Sequence, residues 1–328
     1  MQRLNSDSYL EKKFLDVLEL GDGTIVRLPV MTMKGSRPGP RISLVAAMHG
    51  WEVLGIEIIR QLFREKLDPL ELRGTIEAIP IGNPLAYSAV SYVSPQDMGD
   101  MENSVPGDNT GSASKRIGNK IWEVVKGADC FIDLHCIEGP SLPYVIVRAS
   151  EQNPEATKRS FELARAFGLP MSIPSRATPT GLPALHAISQ GTAAFTPELP
   201  FPGMMLEKAS IEMGVRGVLN VMKALRMIEG EMEPQKENWL KTGELLHTQI
   251  VFSNRGGLVH PTCDLGSRIT EKQVVAKILN QFGEEVDQVR SPRDGFLIGF
   301  PLSYSWVPVN QVTYAGGPVC IVGYLETT

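Results

Sequence analysis

RISLVAAMHGWE, residues 41–52, changes character halfway along. Arg41 to Met48 is a short apolar run suited to a buried strand, and the run stops at His49-Gly50. From Val53 to about Leu67 the apolar residues recur at helical spacing, with Leu54, Ile58 and Leu62 in one line and Ile59 and Phe63 beside it. TIEAIPI, residues 75–81, then reads as a second short buried strand. Strand, helix and strand in this order make a β-α-β unit, which implies parallel strands joined by a crossover.

Working outward, FLDVLEL and TIVRLPVMTM flank the turn Gly21-Asp22-Gly23, so a hairpin is expected ahead of the unit. Residues 83–114 are rich in Pro, Gly, Asn, Asp and Ser without periodicity, a long loop of the kind that builds sites. A helix is expected near Lys115–Lys126, strands at CFIDLHC (130–136) and YVIVRA (144–149), and a helix from Pro154 to Phe167. A strand near Ala193–Thr196 and a long helix from about Leu206 to Glu229 follow. This alternation predicts an α/β domain with a mixed central sheet and helices on both faces. At GEMEPQKEN, residues 230–238, the composition turns polar, and beyond it Gly, Pro and Asp separate short β-prone runs. Two domains are therefore expected: residues 1–232 as the α/β domain and residues 233–328 as an all-β domain.

Composition narrows the partners. With 42% hydrophobic and 21% charged residues the chain has the balance of a globular domain that buries a core. A net charge of −5 leaves no basic footprint for nucleic acid or an anionic membrane, which points to a small-molecule partner. The polar start MQRLNSDSYLEKKF lacks an apolar signal region, and no apolar run approaches a membrane span, so the reading is cytoplasmic. Cys130, Cys136, Cys263 and Cys320 are scattered, as expected of free thiols.

Three residues carry metal-binding chemistry. His49 ends its strand and Glu52 opens the following helix, so imidazole and carboxylate can converge on one point. His135 ends the strand CFIDLHC, and ligand sites in open α/β sheets lie at the carboxyl ends of strands. Two His and one Glu leave the fourth tetrahedral position free, the pattern of a catalytic rather than a structural Zn2+. Asp133 shares a strand face with His135 and is the candidate to hold its second ring nitrogen. Glu198 lies between the apolar AAFTP and the loop-forming LPFPG, where a carboxylate is costly unless used. It is the candidate to take a proton from the attacking water and return it to the leaving nitrogen.

Taken together, AAMHGWE, GNPLAY, FIDLH and TPELP resemble the His-Gly-x-Glu, Asn-Pro-x-Ala, Asp-Leu-His and catalytic-Glu segments of the succinylglutamate desuccinylase/aspartoacylase family. That family is related to the zinc carboxypeptidases, and the resemblance covers nearly the whole chain. RSPRDGFLI and the run Pro308–Tyr324 resemble the closing segments of the family's β domain. The resemblance implies a zinc carboxypeptidase-like fold, one Zn2+ per chain, and hydrolysis of an N-acyl bond on an amino acid or similar amine. It also implies substrate contacts at Asn83, Tyr92 and Asn103. Two family arginines are missing: Asp100-Met101-Glu102-Asn103-Ser104-Val105-Pro106-Gly107 stands for Asp-Leu-Asn-Arg-x-Phe-Pro-Gly, and Tyr92 stands where a second Arg is usual. Arg148 and Arg176 are candidates to substitute. The SPQD segment, residues 94–97, resembles the branch that deacetylates N-acetyl-diaminobutyrate. The acids Asp97, Asp100, Glu102 and Asp108 in the same loop read either as a solvated acidic loop or as an attraction for a cationic amine.

The expected function is thus a zinc-dependent amidohydrolase on a small N-acyl compound, with homo-oligomerisation left open. Its alternatives are a metallocarboxypeptidase acting on short peptides and a non-catalytic zinc or ligand-binding relative. A lipoyl- or biotinyl-carrier role for the β domain lacks its attachment point, since no lysine lies between Val286 and Phe300.

Overall fold

Strands buried on both faces read as unbroken apolar runs, because helices cover each side of the sheet. The computed structural model describes residues 2–3, 9–137, 139–174, 181–236, 239–240, 245–300 and 311–325. It opens with β1 (Gln2–Arg3) and the hairpin β2 (Tyr9–Glu19) and β3 (Ile25–Lys34), which turns at Gly21-Asp22-Gly23. β4 (Arg37–Ala46), α1 (Leu54–Gln61) and β5 (Arg73–Ile79) form the parallel crossover unit. α1 ends earlier than the periodicity predicts, and Leu62–Lys66 continue it as one wider π-helical turn.

The expected loop at 83–114 is partly ordered into helix. Asn83 accepts a hydrogen bond from the Ala86 N–H at 3.1 Å and Pro84 fills the first helical position, which starts the short α2 (Pro84–Ala89). Asp100 caps a 3-10 turn, Met101–Asn103, in the same way. These caps act over too few residues to leave an apolar period. α3 (Ala113–Val125), β6 (Cys130–Ile137), β7 (Tyr144–Ile146) and α4 (Pro154–Phe167) follow.

β8 (Met171–Pro174) and α5 (Leu182–Ser189) have no counterpart in the sequence reading, the first being four residues long and the second apolar on most sides. β9 (Ala193–Pro200) runs past the expected Thr196, carrying Glu198 within the strand rather than beyond it. α6 (Lys208–Ala224) is shorter at both ends than predicted. The rest is β structure: β10 (Leu245–Phe252), β11 (Gly257–Pro261), β12 (Arg268–Ile269), β13 (Val274–Leu279), β14 (Glu285–Arg290), β15 (Gly295–Gly299), β16 (Val312–Thr313) and β17 (Pro318–Leu325).

Among the described residues a 13-stranded mixed sheet runs in the order β1-β2-β3-β5-β4-β6-β9-β7-β8-β10-β17-β15-β12, beside a 4-stranded antiparallel sheet β14-β13-β11-β16. β5, β4, β6 and β9 are parallel, and β7 lies antiparallel against β9. β10 pairs in parallel with β8, so the large sheet continues through the connection that contains residues 232 and 233. One face of its centre packs on α1, α4 and α6 through Leu44, Ile132, Leu134, Phe195 and Leu199. The other face packs on α3 and α5 through Val45, Phe131 and Ala194. Alternation places Asp133 and His135 on this second face with Phe131, and Thr196 and Glu198 with Ala194.

Candidate active site

The turn after β4 is fixed by Gly50. A Cβ there would lie 2.1 Å from the Ala86 carbonyl, so only glycine lets His49 and Trp51 pass against α2. The Glu52 N–H donates to the His49 carbonyl at 3.0 Å, folding Glu52 back toward the imidazole before α1 begins. β6 lies directly beside β4 and delivers His135 from the neighbouring strand.

The structure brings His49, Glu52 and His135 together, each offering one ligand atom within 4.8 Å of the others. His49 Nδ1 lies 2.6 Å from Glu52 Oε1, and His135 Nδ1 lies 3.1 Å from Glu52 Oε2. Ligand atoms on a tetrahedral zinc sit roughly 3.3 Å apart, as follows from metal–ligand bonds of about 2 Å. The donor set therefore fits a zinc ion in type, number and spacing. The outward-facing nitrogens are served separately: His49 Nε2 lies 3.3 Å from Asp100 Oδ1, and His135 Nε2 lies 3.1 Å from Asp133 Oδ1. The second pair is out of line for a hydrogen bond, and both Asp133 oxygens are otherwise without partners among the described residues. Asp100, read from sequence only as one acid of a loop, is thus the counterpart of Asp133.

Electrostatics follow from this packing. Burial alone would lower the His49 pKa, but Glu52 and Asp100 lift it to about 10, and His135 is raised well above its ordinary value against the same burial by Asp133 and Glu52. Burial pushes Glu52 upward, yet the two imidazoles hold it at about 2, so it stays an anion. Glu198 stands beside His135 in the parallel register of β6 and β9, on the same face. Burial, with Glu52 and Glu102 nearby, raises it to about 8.

The residues that the resemblance implies as substrate contacts are placed differently from one another. Asn83 is fully buried, its Oδ1 taken by the Ala86 N–H and the Ser94 hydroxyl at 3.1 Å each. Tyr92 lies flat on the His49 imidazole, ring centroids 3.7 Å apart and 12° from parallel. Asn103 is exposed, with its carbonyl bonded by Lys115 Nζ. The acidic loop also divides. Asp97 accepts from the Ser114 N–H and hydroxyl at 2.7 Å each, in the first turn of α3, and Asp108 accepts from the Thr110 N–H at 2.8 Å, which shapes a local turn. Glu102 is buried and accepts from the Gly181 and Leu182 N–H groups at 3.2 and 2.8 Å, at the start of α5. Burial and the Asp133 charge raise it to about 7. Arg148, one of the two candidates to substitute, is 9% exposed and lies near Gly181, while Arg176 lies outside the described residues. Cys130, Cys136, Cys263 and Cys320 are thiols rather than disulfides, as expected. No helix among the described residues is long and apolar enough to cross a membrane.

Residues 38–225 match the succinylglutamate desuccinylase/aspartoacylase catalytic domain. The chain is 29% identical over 286 residues to the N-alpha-acetyl-L-2,4-diaminobutyric acid deacetylase of Halomonas elongata, covering 85% of this chain and 82% of that one. Its fold is similar to the product-bound ectoine utilization protein EutE (DoeB) of Ruegeria pomeroyi, with a TM-score of 0.81 at 22% identity over 98% of this chain and 97% of that chain. A succinylglutamate desuccinylase/aspartoacylase of Rhodobacter sphaeroides matches with the same TM-score, 0.81, and identity, 22%, over 99% and 98%.

Proposed function

Because the chain belongs to the succinylglutamate desuccinylase/aspartoacylase family, we propose that it is a zinc-dependent amidohydrolase that removes an acyl group from an N-acylated amino acid or related amine. The observation that carries this reading is the register of β6 and β9, which sets Glu198 beside a His-Glu-His group able to hold one Zn2+.

In this reading His49, Glu52 and His135 would hold the ion, with Glu52 supplying a negative charge, Asp100 hydrogen-bonded to the His49 imidazole and Asp133 standing 3.1 Å behind that of His135. Zinc there supplies Lewis acidity, polarising the acyl carbonyl and easing loss of a proton from water. Glu198 takes that proton as the water oxygen adds to the acyl carbon. It returns a proton to the nitrogen as the C–N bond breaks, leaving a carboxylic acid and a free amine. Burial raises the Glu198 pKa in the metal-free site, and a cation held beside it would favour the carboxylate form that accepts a proton. The β part, residues 233–328, belongs to the same proposal as a wall that limits what reaches the site.

The test is amine release from a panel of N-acetyl and N-succinyl compounds, with dipeptides as the contrasting set, by zinc-loaded protein. Turnover should vanish on chelation and return with zinc. Full activity after exhaustive chelation would refute the metal assignment, and cleavage of dipeptides alone would refute the acyl specificity.

A further inference from the structure

Behind His135, two buried side chains hold polar atoms without a hydrogen-bond partner among the described residues. Asp133 makes no hydrogen bond through either carboxylate oxygen and Thr196 none through its hydroxyl, although both residues are 0% exposed. A buried polar group in that state has lost its hydration without replacement, which is destabilising, and two of them together ask for a physical cause.

The two are neighbours by register. In the parallel pair β6 and β9, Ile132 stands beside Phe195 and His135 beside Glu198, so the unchanged offset puts Asp133 beside Thr196. Alternation turns both side chains to the face that carries His135 and Glu198. Adjacent strands lie about 4.8 Å apart, and one water making two hydrogen bonds of about 2.8 Å spans that gap. Gly181 closes the space from the α5 side: a Cβ on it would lie 3.5 Å from Thr196 Oγ1 and 3.1 Å from Ile146 Cγ2. The Gly181 N–H in turn donates to Glu102 Oε1 at 3.2 Å, and the Asp133 charge helps raise Glu102, so a second acid borders the same space. Two buried acids need hydrogen-bond donors, and the Thr196 hydroxyl has a single hydrogen. A water accepting from it still has two to give, which makes the three bonds usual for buried water.

We infer that Thr196 is a positioning residue of this site: through one ordered water it holds the Asp133 carboxylate, and so fixes the His135 imidazole that Asp133 backs at 3.1 Å. The hydrogen bonds run from the Thr196 hydroxyl to the water and from the water to Asp133, whose carboxylate then accepts from His135 Nε2–H. That keeps His135 Nδ1, the nitrogen 3.1 Å from Glu52 Oε2, turned toward the ion. The inference rests on the zinc reading above and deepens it.

Two variants separate the hydroxyl from the shape of the side chain. Thr196→Val keeps the shape and removes the hydroxyl, whereas Thr196→Ser keeps the hydroxyl and removes a buried methyl. On the full chain, with a chelating dye as competitor, Thr196→Val should weaken zinc binding about two- to tenfold, the net effect of one hydrogen bond. Thr196→Ser should bind zinc as the unaltered chain does while unfolding at lower urea, because a buried methyl is lost. Zinc affinity and stability then part company across the pair, which a packing role does not produce. Asp133→Asn should weaken zinc binding about tenfold or more, and adding Thr196→Val to it should change little further. Crystals of the metal-free chain should show one water within hydrogen-bond reach of both Asp133 and Thr196, and crystals of Thr196→Val should lack it.

Full zinc affinity in Thr196→Val, additive losses in the double variant, or crystals of the unaltered chain with no water between the two residues would each overturn the inference. So would a lower kcat at unchanged zinc affinity, which would show that the hydroxyl acts on Glu198, two residues further along β9. Absence of amide cleavage by the zinc-loaded chain would overturn the hydrolase reading instead, and the zinc titrations and crystals would then still decide the part played by Thr196.

Discussion

Glu198 and Glu102 are both buried acids close to His135, yet only one has an unspent oxygen face. Glu102 gives its oxygens to two backbone N–H groups, whereas Glu198 lines the site beside the His135 imidazole. Replacing Glu198 by Gln should leave zinc content intact and lower kcat about 10²- to 10⁴-fold, the usual share of a general acid–base group. Measured side by side, undiminished turnover would remove the role. The imidazoles make a second expectation at this scale. In the metal-free cluster His49 titrates near 10, so it is protonated at neutral pH and must lose its proton to ligate. Raising the pH through that range removes the competing proton, and zinc affinity should therefore rise with pH, with on the order of one to two protons released per ion bound. Calorimetry in buffers of different ionisation heat reads the release directly, and equal heats in all buffers would contradict it. His49, Glu52 and His135 were legible as residue types at a strand-to-helix junction and on an apolar strand, although β4 ends at Ala46, Glu52 lies in the turn before α1 and His135 lies within β6 rather than at its end. Asp100 and Glu102 were not, since their partners His49, Gly181 and Leu182 lie far away along the chain.

Between residues and molecule stands the link from α5 to the His-Glu-His cluster. The first N–H groups of α5 hold Glu102, the 3-10 turn carries that anchor to Asp100, and Asp100 faces His49 Nε2. An amide at position 102 has one acceptor oxygen for two donors, and leaves one buried N–H unpaired. Glu102→Gln should therefore cost about 1–3 kcal/mol in urea unfolding. It should also weaken zinc binding about tenfold, as loss of an orienting partner does. Stability lost without any change in zinc affinity would show that the link stops at the turn. α4 was legible to the residue because Asn153-Pro154 starts it and Gly168 ends it. α2 and α5 were not: one is six residues long, and the other shows no polar face to give it a period.

Over the whole molecule, strand order was the least legible feature. Alternating strands and helices implied a covered sheet, but nothing local says that β7 inserts antiparallel between β9 and β8, or that β10 adds to β8. The consequence is mutual support. Tyr144, opposite Glu198 in the β7–β9 register, packs in one cluster with Leu246, Ile298 and Ile321 from the later strands. A chain ending at residue 232 would expose the β8 edge and half of that cluster, inviting edge-to-edge association. Such a fragment should aggregate or unfold at lower urea than the full chain and bind zinc poorly. A monomeric fragment with full zinc affinity would show that the later strands are dispensable to the site.

The register of β4, β6 and β9 also sets an order in time. Each parallel pair must wait for the helical connection between its strands, because distant segments meet only after the loop between them has closed. The His49-Glu52-His135 group is therefore expected to assemble late in folding. In a refolding experiment helical signal should recover before the chain can take zinc from an indicator dye, and a chelator should leave the rate of that recovery unchanged.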